Sequence, residues 1–438
     1  MRNILAIALA AMPFAVAAPA TAQVAPAAPV VAAPQLTARI EEVLTILKGG
    51  GDYDATFAPP FRAQVPREKF AAVTKQLTQA AGAPQRIASV RAVSPYAAVV
   101  TIACERAVAT LQIAIDATAP YQVSGLLLSG VSAAEASVGA VDAALAALPG
   151  TTGFLLARLD DGGPKSIVAR NADRAFAIGS EFKLVILATL VRDVAAGKRR
   201  WEDRVTLDGS ERPAGGWARA AKGTQVSLRD LAAKMISVSD NSATDILLET
   251  VGRSQVEAMM PVVGIAAPAR SRPFLTTAEV FKLKAVSALA DRYLAQTEAG
   301  RRAMLAGEIA RMPLSAVPST LFADGKPVRI GELEWFFSPS DVARTLDWIR
   351  RASASGPAAD VRAILAINPA LPPATASRWT YAGYKGGSEP GVMAMSWLLQ
   401  AKDGRWYAVS GSWNDSAKGV DEMRFASLMQ RAVELAVP

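Results

Sequence analysis

Three short segments hold side chains whose types and spacing can do chemistry. In Ser180-Glu181-Phe182-Lys183, which opens the apolar stretch Leu184–Val191, a hydroxyl and an amine three residues apart fall on one helix face, one turn from each other. At a helix start, unpaired backbone N–H groups and the positive end of the helix dipole lie near the serine oxygen. The apolar helix leaves the Lys183 ammonium poorly solvated, which moves its pKa down toward the range of a usable base. In Ser239-Asp240-Asn241 a hydroxyl can shuttle a proton and an amide can hold a carbonyl group. The helix face Leu228, Leu231, Met235, Ile236 stops at this polar corner. In Lys385-Gly386-Gly387-Ser388, which leads into the strand Val392–Leu399, glycines let a substrate lie close to a sheet edge, facing backbone N–H groups and a cation. Each segment alone also has an ordinary structural reading. The first is an N-cap serine followed by a surface lysine, the second a helix-ending turn, and the third a bulged edge strand with a protective lysine.

Composition narrows the choice. The chain contains no histidine, which removes every Ser-His-Asp and Cys-His arrangement and every His-ligated metal site. A single cysteine, Cys104, excludes an intramolecular disulfide and a thiolate cluster; its apolar neighbours make it a buried structural thiol. Hydrolytic chemistry therefore falls to Ser, Lys, Asp, Glu or Tyr, and with no histidine available a lysine is the natural activator of a serine nucleophile. The net charge of +8 is scattered, with no basic run, so nucleic acid is not an expected partner.

The order of the three segments, Ser-x-x-Lys, then Ser-Asp-Asn, then Lys-x-Gly on a C-terminal strand, resembles the class A β-lactamase and penicillin-binding-protein superfamily. The stretch Gly223–Gly252 is similar to that family well beyond three letters, and the resemblance covers about Ala134–Pro438. It implies an α+β fold in which an antiparallel sheet is flanked by helices, with a helical subdomain. It also implies a serine hydrolase working through a covalent acyl-enzyme, with β-lactam ring opening as the leading activity. An esterase or a D-amino-acid peptidase on the same scaffold, or a penicillin-binding protein that acylates without turnover, are the alternatives. By the same resemblance Ser180 is the acylated nucleophile, Lys183 its proton acceptor, and Ser239 the relay to the leaving group. Asn241 binds the substrate amide, and Lys385, Gly387 and Ser388 receive the substrate. The backbone N–H groups of Ser180 and Ser388 form the oxyanion hole. No metal or organic cofactor is implied, and the partner is a small molecule of β-lactam, ester or peptidoglycan-like chemistry.

Two departures bear on turnover. The third motif reads Lys-Gly-Gly where the family usually has Lys-Thr-Gly or Lys-Ser-Gly, which removes one hydroxyl from the carboxylate site. The family's Glu-x-x-Leu-Asn string, whose glutamate activates the deacylating water, is absent. Glu332 and Glu334 in Ile330–Trp335 are the candidates to replace it, with solvated surface carboxylates as the alternative. Ser338-Pro339-Ser340-Asp341 just after them reads as a helix start.

These side chains need elements to hold them. Residues 1–22 read as a secretory signal, with Arg2, the apolar Ile4–Val16 and the small-residue site Ala20-Thr21-Ala22. A periplasmic or secreted protein without a stable membrane anchor is expected, mature from about Gln23. Residues 23–34 form an Ala/Pro linker. Residues 35–130 form a small α+β domain of two helices and three strands, Ile87–Val93, Ala97–Cys104 and Ala107–Ile115. Its element order resembles the cystatin or ketosteroid-isomerase shape. Residues 132–438 form the hydrolase domain, opened by a helix capped by Ser132 and Glu135. Phe154–Leu159 and Ser166–Arg170 flank the hairpin signal Asp160–Gly163. The strands Tyr381–Lys385, Val392–Leu399 and Trp406–Ser412 precede a last helix, Val420–Val437. Thr276 and Glu279 form a capping box, and Trp335, Trp379 and Trp397 either line a cleft or, more commonly for such spacings, fill the core.

Overall fold

The computed structural model describes residues 31–436, so the signal segment 1–22 and most of the 23–34 linker lie outside the described residues. The chain divides into two compact units, one ending at Ala136 and the other beginning at Ser137. In the first, Leu36, Ile40, Val43, Leu44 and Leu47 form the buried stripe of the helix Pro34–Leu47. A second long helix, Arg67–Ala81, buries Phe70 and Leu77 and ends at Gly82, whose φ of +81° suits a residue without Cβ. Four strands follow as an antiparallel meander: β1 (Pro84–Ser94), β2 (Ala97–Cys104), β3 (Ala107–Ile115) and β4 (Val123–Ala133). Three of them were expected. The fourth was not, because its Leu126-Leu127-Leu128 run lacks the alternation of a half-buried strand. Between sheet and helices the rings of Tyr53, Phe57, Phe61 and Phe70 stack and tilt on one another at centroid separations of 4.7–5.3 Å. Cys104 is buried and free.

Strand β4 also corrects the expected start of the next helix. Val131, Ser132 and Ala133 pair with Ala109, Val108 and Ala107 of β3, and these ladder bonds hold residue 132 in the sheet. The helix Val138–Ala146 begins instead after Ser137, whose hydroxyl accepts from the Ala140 N–H.

The second unit contributes β5 (Thr151–Asp160), β6 (Gly163–Arg170), the short β7 (Phe176–Ala177), β8 (Arg204–Thr206), β9 (Gln225–Ser227), β10 (Phe336–Phe337), β11 (Trp379–Glu389), β12 (Val392–Ala401) and β13 (Trp406–Asn414). Its main sheet is antiparallel in the order β11-β12-β13-β5-β6. The C-terminal strands join the N-terminal hairpin through β13 and β5, from Trp406 opposite Leu159 to Asn414 opposite Thr151. Helices cover both faces. Leu155, Ala157 and Leu159 of β5 belong to the core built on the helices Lys183–Ala195 and Pro339–Ala352. On the opposite face Gly411 of β13 leaves room for Phe425 and Met429 of the last helix, Glu422–Leu435. Burial on both faces explains why β12 and β13 read as near-continuous apolar runs.

The expected capping box forms at Thr276/Glu279, and the expected helix start at Ser338 is closed by a capping box with Asp341. Trp335, Trp379 and Trp397 are all buried, so they belong to the core. Among the described residues no helix is long and apolar enough to cross a membrane.

Candidate active site

Every residue of the site lies in the second unit, and its position follows from burial. Leu184–Val191 are enclosed on every side, at about 1.5–3 kcal/mol of hydrophobic stabilisation for each large side chain. The helix Lys183–Ala195 is therefore central, and its first residue is central too: Lys183 is 0 % exposed. Ser180 sits just before it, half-buried, in the 3₁₀ turn Gly179–Phe182. The turn is fixed from one side by the Ile178 N–H, which donates to Trp335 O at 3.2 Å beyond the β7–β10 ladder. Phe182 stacks on Trp335 with rings 3.5 Å apart and 13° from parallel.

From the other side the turn meets β11 with no space for a side chain between them. A Cβ on Gly387 would lie 2.1 Å from Ile178 O and 2.4 Å from Ser180 N, and one on Gly179 would lie 2.9 Å from Ser388 N. Gly179 also has φ +49°. The glycines of the third motif thus bring the Ser180 and Ser388 amides together at one end of the strand.

Ser239 and Asn241 arrive from the corner between the helices Leu228–Ser237 and Asn241–Val251. The middle residue of the triplet does structural work. The Asp240 carboxylate accepts from the Ala243 N–H at 2.8 Å, the Ser242 hydroxyl at 2.6 Å and the Gly216 N–H at 2.6 Å. It is the N-cap of the second helix, so the helix-ending turn and the chemical corner are the same object. Ser239 takes φ +56°, a left-handed conformation that costs a non-glycine residue of order 1–3 kcal/mol and persists where its surroundings impose it.

The side chains converge on Ser239. Lys183 Nζ lies within hydrogen-bonding distance of Ser239 O at 2.8 Å, Ser239 Oγ at 3.0 Å and Asn241 Oδ1 at 2.7 Å. Lys385 Nζ reaches the same Oγ at 3.0 Å and also donates to Gly386 O. Because the Asn241 oxygen is taken by Lys183, its N–H₂ end is left for another acceptor. Burial pushes the Lys183 amine well below the usual lysine range and the Lys385 charge adds to this, while Asp245 and Asp240 oppose it. Burial likewise lowers Lys385, to about 7. Asp245 is itself raised to about 6 by burial, tempered by the Ala278 and Thr277 N–H groups that it caps at 2.9 and 2.8 Å.

The structure brings together Ser180, Lys183, Ser239, Asn241, Lys385, Gly387 and Ser388. It gives Glu332 and Glu334 other work. Glu332 is exposed and pairs with Arg329 at 3.3 Å. Glu334 is buried, with Oε1 accepting from Lys284 at 2.9 Å and Oε2 from the Trp335 N–H at 3.3 Å. Each of its oxygens already accepts a hydrogen bond, one of them from a counter-ion, so its place is in an ion pair with Lys284. Sequence reasoning missed the Lys284 cluster and missed Glu181, a carboxyl inside the first motif that is 1 % exposed. The signal for Glu181 was present: an acid between glycine, phenylalanine and a long apolar run.

The family model described as "Beta-lactamase enzyme family" matches residues 137–359, just over half of the chain. Among solved structures, a β-lactamase from Sphaerobacter thermophilus DSM 20745 is 21% identical over 68% of this chain and 95% of its own, with a TM-score of 0.45. PBP-A is 17% identical over 67% and 94%, TM-score 0.43. A β-lactamase from Chitinophaga pinensis DSM 2588 is 17% identical over 68% and 96%, TM-score 0.45. No curated protein matches the chain.

Proposed function

The chain belongs to the β-lactamase enzyme family, and from that premise we propose that it is a serine hydrolase acting through an acyl-enzyme on Ser180, with β-lactam ring opening as its leading reaction. The observation that carries this reading is the Ser239 hydroxyl held 3.0 Å from each of two buried lysines, beside the turn that carries Ser180. In this mechanism Ser180 Oγ attacks the substrate carbonyl as its proton passes to Lys183, which must be a neutral amine to accept it. Burial favours that state. The oxyanion is met by the Ser180 and Ser388 N–H groups, worth about 3–4 kcal/mol each in comparable sites. As the C–N bond breaks, the Lys183 proton moves through Ser239 Oγ to the leaving nitrogen, and Lys385 holds Ser239 from the other side. The Asn241 N–H₂ is placed for a substrate carbonyl oxygen. Water then hydrolyses the Ser180 ester and restores the hydroxyl.

The commitment of Glu334 to Lys284 favours one second reading, an enzyme that acylates readily and releases slowly, as a penicillin-binding protein does. Intact mass of the protein with a chromogenic cephalosporin over time, beside Ser180→Ala, separates the two. A transient adduct with product accumulating in excess of protein supports a β-lactamase. A lasting adduct with one equivalent of product supports the slow-release reading, and no adduct moves the substrate to esters or peptides. We further place this chemistry in the periplasm or outside the cell, on the strength of the signal-like pattern in residues 1–22.

A further inference from the structure

The mechanism uses Ser180 and Lys183 but not the acid beside them. Glu181 is enclosed, and neither of its carboxyl oxygens meets a partner in hydrogen-bonding geometry. The turn that carries it packs on β11 and β12. There the register sets Lys385 beside Ser396, and Ser396 beside Ser410, in one row across the strands. The Ser396 hydroxyl faces Glu181 but donates to Ser410 at 2.8 Å. Turned to Glu181, that O–H favours the ionised carboxylate, as the Lys385 charge does, both against burial. An ionised Glu181 needs a cation, and Lys385 is the cation that faces it.

Resting on the acyl-transfer reading, we propose that Glu181 is a positioning residue whose charge sets whether Lys385 carries its proton, and through Lys385 which way the Ser239 hydroxyl points. A protonated Lys385 has no lone pair, so Ser239 Oγ must accept from it and its own O–H is free to turn to a neutral Lys183. A neutral Lys385 can accept that O–H instead, and the relay toward Lys183 is interrupted. Burial drives the two groups toward each other, Glu181 up to about 8 and Lys385 down to about 7. The proton can therefore sit on either at neutral pH. The other ionisable groups facing this pair are Tyr384 on β11, raised far above neutrality by burial and so uncharged, and Lys183, which repels Lys385. Asp240 and Asp245 act on Lys183 from the helix Asn241–Val251.

The test is Glu181→Gln, which keeps size and polarity but cannot ionise. Acylation is followed by intact mass from pH 5 to 10, with a fluorescent penicillin and with p-nitrophenyl acetate as acyl donors. Without the opposing charge Lys385 loses its proton earlier, so the alkaline limb should move down by about one to three pH units, the range one neighbouring charge produces. At pH 8 that is about a tenfold loss or more, and the two rates converge only below the variant's shifted limb. Glu181→Asp, which restores the charge, should move the limb back. Superimposable limbs that differ only in height overturn the proposal and leave Glu181 a packing residue. A readout independent of activity is Tm against pH. A buried carboxyl that binds its proton in the native state but not in the unfolded chain makes stability fall as pH rises from about 4.3 toward its raised value. Relative to the parent, Glu181→Gln should therefore gain Tm progressively over that window, and a constant difference counts against the proposal. If the parent forms no adduct with either donor, the acylation reading fails, and the Tm series alone decides whether Glu181 titrates as described.

Discussion

Lys183 and Lys284 are both sealed from solvent, yet the protein surrounds them with opposite chemistry. Around Lys183 the direct partners are neutral: a carbonyl, a hydroxyl and an amide oxygen. The nearest formal charges include a second lysine. Around Lys284 the partners are two carboxylates, Glu334 at 2.9 Å and Glu389 at 2.5 Å. Burial alone would lower the Lys284 pKa, but those two charges outweigh it and raise it. Depth therefore does not make a lysine a base. On the acyl-transfer reading, a base results where the N–H groups are satisfied by oxygens that do not stabilise the positive charge enough to offset lost hydration. A strut results where anions replace the water.

Substituting each lysine by methionine pulls this contrast apart. Lys183→Met should lower the rate of Ser180 acylation by about 10² to 10⁴, the usual worth of a general base, measured as adduct formation by intact mass. Its stability should hold or rise at neutral pH. A native lysine with a lowered pKa binds fewer protons than the unfolded chain between that lowered value and about pH 10.4, so its cost to stability builds as pH falls through that window, and removing it removes that cost. Lys284→Met should do the reverse. It leaves two buried carboxylates without a counter-ion, a loss of about 3–5 kcal/mol when one member of a buried pair is deleted, read from urea unfolding. Where the protein still folds, its acylation rate should change far less than that of Lys183→Met. Equal stability losses in the two variants would erase the distinction.

The contrast also marks how far the sequence could be read. Each of the three motifs was legible from its local spacing, but it was the family resemblance, not spacing, that implied their meeting: Lys183 and Lys385 reach Ser239 across 56 and 146 residues. Ser180 and Lys183 share a turn, and Gly387 is required where β11 touches that turn. Long-range partners outside the motifs were not legible. Lys284 meets Glu334 and Glu389 across 50 and 105 residues, and no periodicity reports such a meeting. Glu334, singled out for its proximity in sequence to a helix start, is instead the lysine's counter-ion. Strand β4 and the helix start at Ser137 were missed for a related reason. The ladder to β3 overrode a local capping pattern at residues 132–135, a tertiary contest that propensity does not settle.

The smallest expected effect is the sharpest check on the strut. Two carboxylates on one ammonium leave a buried excess of negative charge unless one of them keeps a proton. Glu389 is the one pushed well above the usual carboxylate range, by burial first and then by the Glu334 charge, with Lys284 opposing both. A raised carboxyl holds its proton in the native state over a range where the unfolded chain has released it. This contribution to stability therefore declines as pH climbs from about 4.3 toward the raised value. Glu389→Gln removes the titration but keeps a hydrogen-bonding side chain beside Lys284. Calorimetric Tm of the variant should match the parent within a degree or two near pH 4.5, and then gain on it as pH rises, by about 1.4 kcal/mol for each unit of pKa difference. A difference that stays constant with pH would mean that Glu389 is ionised throughout. Lys284 would then be balancing two full charges, and its contrast with Lys183 would be larger still.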